Sequence, residues 1–97
     1  MNPSVLASWY KAKEGKREEL QALLQGLVDQ SKQETGCLLY ELYEDRKASG
    51  HFFILEKWDS RESFGQHAKQ PFLAEGFQQM EGLLEEPYKI VTYKLPE

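Results

Sequence analysis

The sequence predicts an α+β domain, one antiparallel four-stranded sheet backed by helices, on three observations. Four stretches are rich in β-favouring residues, and their side chains alternate with period two. Between the first and second lies an apolar stripe with helical three-and-four spacing. The second and third are joined by a short polar loop, which makes them a hairpin.

Ser4 to Lys13 is the first strand, with Val5, Ala7 and Trp9 on one face and Leu6, Ser8 and Tyr10 on the other. Glu14-Gly15 ends it. From Lys16, the positions Leu20, Leu23, Leu24, Leu27 and Val28 form a helical stripe that runs to about Glu34, with Gly36 after Thr35 as a stop signal. Cys37 to Asp45 and His51 to Trp58 are strands two and three, joined by Arg46 to Gly50. Asp59-Ser60 offers a helix cap, and a short helix follows to Ala68 or Lys69. Pro71 interrupts it and suits the first turn of a third helical segment through Phe72, Phe77, Met80 and Leu83. Pro87 closes that segment, and Tyr88 to Leu95 is the last strand. The order β-α-β-β-α(α)-β is that of a ferredoxin-like split β-α-β domain.

Both faces of the sheet read as apolar. In strand two, Leu38, Tyr40 and Leu42 alternate with Leu39 and Tyr43; in strand three, Phe52, Ile54 and Trp58 alternate with Phe53 and Leu55. The helices suffice for one face, so the other is expected to meet a second subunit, most simply as a two-fold homodimer of sheets.

The 97 residues fit a single domain spanning 1–97, and 40% hydrophobic with 29% charged residues is ordinary for a soluble globular protein. Net charge −4 with interspersed signs disfavours nucleic acid. No apolar run is long enough to span a membrane, and no basic amphipathic helix points to a membrane surface. The start, Met-Asn-Pro-Ser, has no signal-like core, so the expected compartment is cytoplasmic. A lone cysteine, Cys37, excludes an internal disulfide and, with only two histidines, a zinc site. It reads as a small, partly buried hydrophobe.

The most informative stretch runs from Phe52 to His67. Glu56 sits on an apolar strand and shares a face with Trp58. The chain reverses at Asp59-Ser60, and the six helical steps from Arg61 to His67 rise roughly 9 Å, about three strand residues. That returns His67 to the level of Glu56, and His67 shares a helical stripe with Phe64. A partly buried carboxylate beside an imidazole suits general acid–base work. Trp58, with Phe52 and Phe72, offers a flat apolar wall for a planar ligand. Spacing alone leaves the bland reading open, with His67 as a hydrogen-bonded core residue and Glu56 as its support. Phe72, Phe77 and Met80 read more readily as core, and Tyr40 suits either a ligand contact or cross-strand packing.

These residues resemble the antibiotic biosynthesis monooxygenase family, in particular its small stand-alone members of quinol monooxygenase type. The resemblance covers nearly the whole chain. It is carried by Lys13-Glu-Gly15, by Glu34-Thr-Gly36-Cys37-Leu38-Leu39-Tyr40, by Phe53-Ile-Leu-Glu56-Lys-Trp58-Asp59, and by His67. It implies a dimeric α+β barrel of ferredoxin-like subunits. It also implies oxidation of a small aromatic quinol or anthrone by molecular oxygen with no metal, flavin or haem. Carried over by position, Glu56 and His67 would be the catalytic pair, Glu56 orienting His67, in a cavity between helices and sheet. Trp58, Phe52, Ile54, Tyr40, Phe64 and Phe72 would bind the substrate.

One position departs from the family pattern: Pro71 stands where many relatives carry a second histidine before the aromatic Phe72, which puts a two-histidine relay and a close tie to signal-degrading relatives in doubt. Haem-degrading relatives need an Asn near Ser8 and a histidine in the later helical region. This chain has neither. The competing function is a non-catalytic dimeric module that holds a small aromatic metabolite in the same cavity.

Overall fold

The computed structural model describes residues 3–96. Met1, Asn2 and Glu97, the outer ends of the expected domain and of its N-terminal segment, lie outside the described residues. The elements are β1 (Ser4–Lys11), α1 (Arg17–Ser31), β2 (Cys37–Glu44), β3 (His51–Trp58), α2 (Arg61–Ala68), α3 (Pro71–Met80) and β4 (Lys89–Tyr93). Every strand pair is antiparallel and the order is β2-β3-β1-β4, the expected ferredoxin-like α+β fold. No helix among the described residues is long and apolar enough to cross a membrane.

α1 buries Leu20, Leu24, Leu27 and Val28 as one stripe on the sheet, joined by Ser31. It ends three residues before the expected Glu34. Turns with short-range bonds, Glu34 N–H to Ser31 O at 3.1 Å and Cys37 N–H to Glu34 O at 3.2 Å, tighten the chain there. Gly36 completes the bend at φ +87°. At the other end of α1, Arg17 donates through two nitrogens to Glu44, at 2.7 and 2.5 Å, and the Gly50 N–H donates to the same carboxylate at 2.8 Å. The Arg17 guanidinium foremost, then the Gly50 N–H, hold the Glu44 carboxyl down to about 2. This clamp joins α1 to the β2–β3 hairpin.

The expected caps are in place. The Ser60 Oγ accepts from the Ser63 N–H at 3.1 Å, and Pro71 opens α3 where its missing N–H costs nothing. α3 stops at Met80, short of the expected Leu83, and lies close on α1. A Cβ at Gly76 would stand 2.6 Å from Leu27 Cδ2.

β1 shows the expected faces: Leu6, Ser8 and Tyr10 are buried under the helices, while Val5, Ala7 and Trp9 look the other way. β2 departs from expectation. Its register slips between Cys37 and Leu39, so Cys37 stands opposite Trp58 and Leu39 opposite Lys57. Leu38 is the extra residue of a β-bulge and is 58% exposed, so it does not share a face with Tyr40. Cys37 packs against the core as expected, and burial pushes its thiol pKa up, away from the thiolate a nucleophile requires.

The face without helices carries a row of aromatics. Phe53 lies between Trp9, with centroids 5.4 Å apart, and Tyr43, 6.2 Å away. Trp9, Tyr43 and Tyr93 are exposed there.

Candidate active site

His67 is the hub of the helix-covered face. α2 carries it back over β3, so that its ring stacks on Trp58 with centroids 4.6 Å apart and planes 29° from parallel. Tyr40 meets the ring edge-on at 5.5 Å, and Phe64 and Phe72 flank it at 6.3 Å each. Glu56 lies within the same group. Its Oε1 accepts the Trp58 indole N–H at 2.9 Å and stands 3.8 Å from His67 Nε2. The strand-and-helix arithmetic thus places His67 at the level of Glu56 and Trp58.

Phe52 and Ile54 share this sheet face but run away from the imidazole. Phe52 belongs to the opposite end, under the Arg17 guanidinium 5.8 Å from its centroid.

Glu56, expected to orient His67, faces Nε2 at 3.8 Å, and a second carboxylate holds the other ring nitrogen. That carboxylate is Glu34, with Oε2 2.6 Å from His67 Nδ1. A carboxylate only accepts, so with Glu34 ionised the ring carries its proton on Nδ1 and leaves Nε2 as the basic nitrogen, facing Glu56. Glu34 was legible only as part of a motif. The two residues are 33 positions apart, and no local periodicity links them.

The site is closed. Trp58 is fully buried, His67 is 2% exposed and Glu56 7%. Open space lies beside the cluster, not within it. A cleft of about 800 Å³ runs between α2 and the β1–β4 edge, with Leu6 and Phe64 in its wall. Leu6 pairs across the sheet with Glu56, so the wall of the cleft adjoins the acid–base group.

Burial also raises the Tyr40 hydroxyl pKa far above its usual value, helped by the Glu56 charge. Ser31 lies beside Tyr40, and its Oγ is the one buried side-chain polar atom among the described residues that lacks a hydrogen-bond partner. Among the described residues, no group of three or more His, Cys, Asp or Glu is arranged to hold a metal ion.

A family model described as antibiotic biosynthesis monooxygenase matches residues 4–81. The chain belongs to the antibiotic biosynthesis monooxygenase family. It is 34% identical over 96 residues to the uncharacterised Synechocystis protein sll1783, covering 99% of this chain and 65% of that protein. The chain therefore spans just under two thirds of that relative's length. It is also 34% identical over 97 residues to YcnE of Bacillus subtilis, named as a candidate monooxygenase, covering 96% of this chain and 98% of that one. Among solved structures, a candidate antibiotic biosynthesis monooxygenase of Deinococcus radiodurans superposes with TM-score 0.90 at 29% identity, over 97% of this chain and 93% of that one. PA3566 of Pseudomonas aeruginosa does so at 0.90 and 29%, over 100% and 97%.

Within this antibiotic biosynthesis monooxygenase domain, Pro71 is the first residue of α3 and directly precedes Phe72, which packs at the imidazole. The second histidine, His51, is exposed at the start of β3. His67 therefore has carboxylates, not another imidazole, as its proton partners.

Glu56 provides a pH test. Burial raises its carboxyl pKa above 4.5, outweighing the Trp58 N–H, His67 and Tyr40, which act the other way. A carboxylate whose folded value lies above its unfolded one costs stability once ionised. That cost is absent below 4.5 and grows as pH rises through the folded value. Glu56→Gln keeps an oxygen acceptor for Trp58 and removes the charge. Its melting temperature relative to the parent is expected to be higher at pH 7 than at pH 4. A difference that does not change with pH, or that grows on acidification, contradicts this.

Proposed function

We propose that this chain is a cofactor-independent monooxygenase acting on a small, planar, electron-rich aromatic such as a quinol or an anthrone. The observation that carries the reading is the buried imidazole of His67, fixed at Nδ1 by Glu34 with Nε2 turned to Glu56 and stacked on Trp58. In this reading, Nε2 removes a proton from the substrate hydroxyl or its enol. The resulting anion is electron-rich enough to reduce molecular oxygen directly. For an anthrone, a ring CH₂ becomes C=O and supplies four electrons; one oxygen atom enters the product and the other leaves as water.

The substrate would seat in the cleft beside α2, with Phe64 and Leu6 moving aside to admit its hydroxyl to Nε2. Family membership supports the reaction class, as do relatives named as candidate monooxygenases.

Oxygen uptake with a naphthoquinol and an anthrone, corrected for autoxidation, tests the reading. His67→Ala is expected to lose about a hundredfold or more of the catalysed rate. Unchanged turnover in that variant sinks the mechanism.

The open aromatic face would pair two subunits back to back, giving the homodimeric barrel. Light scattering is then expected to give twice the chain mass for the parent and the chain mass for Phe53→Glu. A parent that stays monomeric at high concentration removes the dimer.

The closed packing of His67 and Trp58 favours a second reading, a non-catalytic module that takes an aromatic metabolite into the cleft alone. Thermal stabilisation by the same compounds without oxygen uptake selects it.

A further inference from the structure

The geometry points to Glu34 as the residue through which protons pass between water and the buried His67. Three observations converge on it. Glu34 Oε2 is 2.6 Å from His67 Nδ1, within direct proton-transfer reach. The His67 side chain is 2% exposed while that of Glu34 is 15% exposed, so the carboxylate bridges interior and solvent. The outer side of Glu34 lines a polar depression of about 620 Å³ with Gln33, Gln66 and Gln70, which shares no lining residue with the cleft beside Phe64 and Leu6.

The groups that titrate around the ring are Glu34 from the turn after α1, Glu56 from β3 and Tyr40 from β2; Trp58, Phe64 and Phe72 fill the remainder. Glu56 is the more enclosed of the two carboxylates, its side chain 9% exposed against 15% for Glu34, and it is Glu34 that lines the polar depression.

The transfer balances at every step. A proton arriving at Nε2 is matched by one leaving Nδ1 for Oε2, and Oε2 then releases it to water in the depression. The ring is neutral before and after, which avoids lasting charge in an aromatic enclosure. The reverse sequence returns a proton to Nδ1 as Nε2 gives its own to reduced oxygen. Water and substrate would thus use different sides of the site. Glu34 touches no substrate in this scheme; it is a positioning residue that also conducts. Its catalytic use rests on the proposed function, but its detection does not.

The test is nitrogen-15 NMR of His67 in the resting, full-length protein. In the parent, the ring shifts are expected to show Nδ1 protonated and Nε2 bare, with the Nδ1 proton exchanging with water. Glu34→Gln retains an oxygen that accepts from Nδ1–H but holds no transferable proton. Its Nδ1 exchange is expected to slow by about tenfold or more. Glu34→Asp, which reaches the ring through a bridging water, is expected to recover much of the rate. A purely structural role for Glu34 would lower the melting temperature of both variants while leaving their exchange rates alike. That result, or parent-like exchange in Glu34→Gln, overturns the relay.

Oxygen uptake with the naphthoquinol separates the two claims. No uptake by the parent, with exchange still governed by Glu34, removes the oxidation and leaves the relay standing. Uptake abolished in His67→Ala, with exchange indifferent to Glu34, keeps the oxidation and removes the relay.

Discussion

Gly36→Ala is expected to cost about 2–4 kcal/mol of folding stability, a large share of what a domain of this size has. Two penalties add. The backbone sits at φ +87°, where a side chain costs about 1 kcal/mol or more. A Cβ there would also stand 2.6 Å from Ser63 Cβ and 2.8 Å from Asp59 Oδ1, and would overlap Ser63 Oγ. Those atoms form the start of α2, where Ser63 Oγ donates to Asp59 at 2.6 Å and Asp59 N–H donates to Gly36 O at 2.8 Å. The helix must therefore shift, and with it His67. Gly15→Ala is the control. Its φ is +82°, but a Cβ meets nothing within 4 Å, so only the backbone penalty of about 1 kcal/mol applies. Urea denaturation of both variants isolates the steric part, and equal losses would refute the close approach at Gly36.

Trp58→Ala is expected to cost about 3–5 kcal/mol, the range for deleting a buried large aromatic. The side chain is fully buried, and its ring is the surface on which His67 rests. The deletion also leaves Glu56 Oε1 without the indole donor in an enclosed site. Trp58→Phe separates the two effects. It keeps much of the packing, loses the N–H, and is expected to cost about 1–3 kcal/mol. Should the alanine and phenylalanine variants unfold at the same urea concentration, the hydrogen bond would dominate and the packing argument would fail.

The element order and the strand faces were legible because period two and period 3.6 are written directly in residue spacing. So was the meeting of His67 with Glu56 and Trp58, since it depends on one reversal and two known rises per residue. The bulge at Leu38 was not legible: one extra residue in Cys37-Leu38-Leu39-Tyr40 changes no composition and only shifts the partners across the sheet. The end of α1 was overrun because the turn from Ser31 to Cys37 keeps short helix-like bonds after the regular helix stops. Glu34 at His67 could not be found from spacing, since it depends on how that turn meets α2. Periodicity also says which face a side chain takes but not how tightly it is packed. The expected open cavity at Trp58 is therefore a filled aromatic stack, with the free volume displaced to the β1–β4 edge.

The displaced register at Leu38 has a consequence for self-association. β2 is an outer strand, and an outer strand offers unpaired backbone groups as a template for strands of other molecules. The bulge breaks the regular repeat of that template at its start, between Cys37 and Leu39, so an incoming strand cannot carry an even ladder along the whole of β2. Copies of this chain that meet along β2 are thereby discouraged from stacking into an endless ribbon.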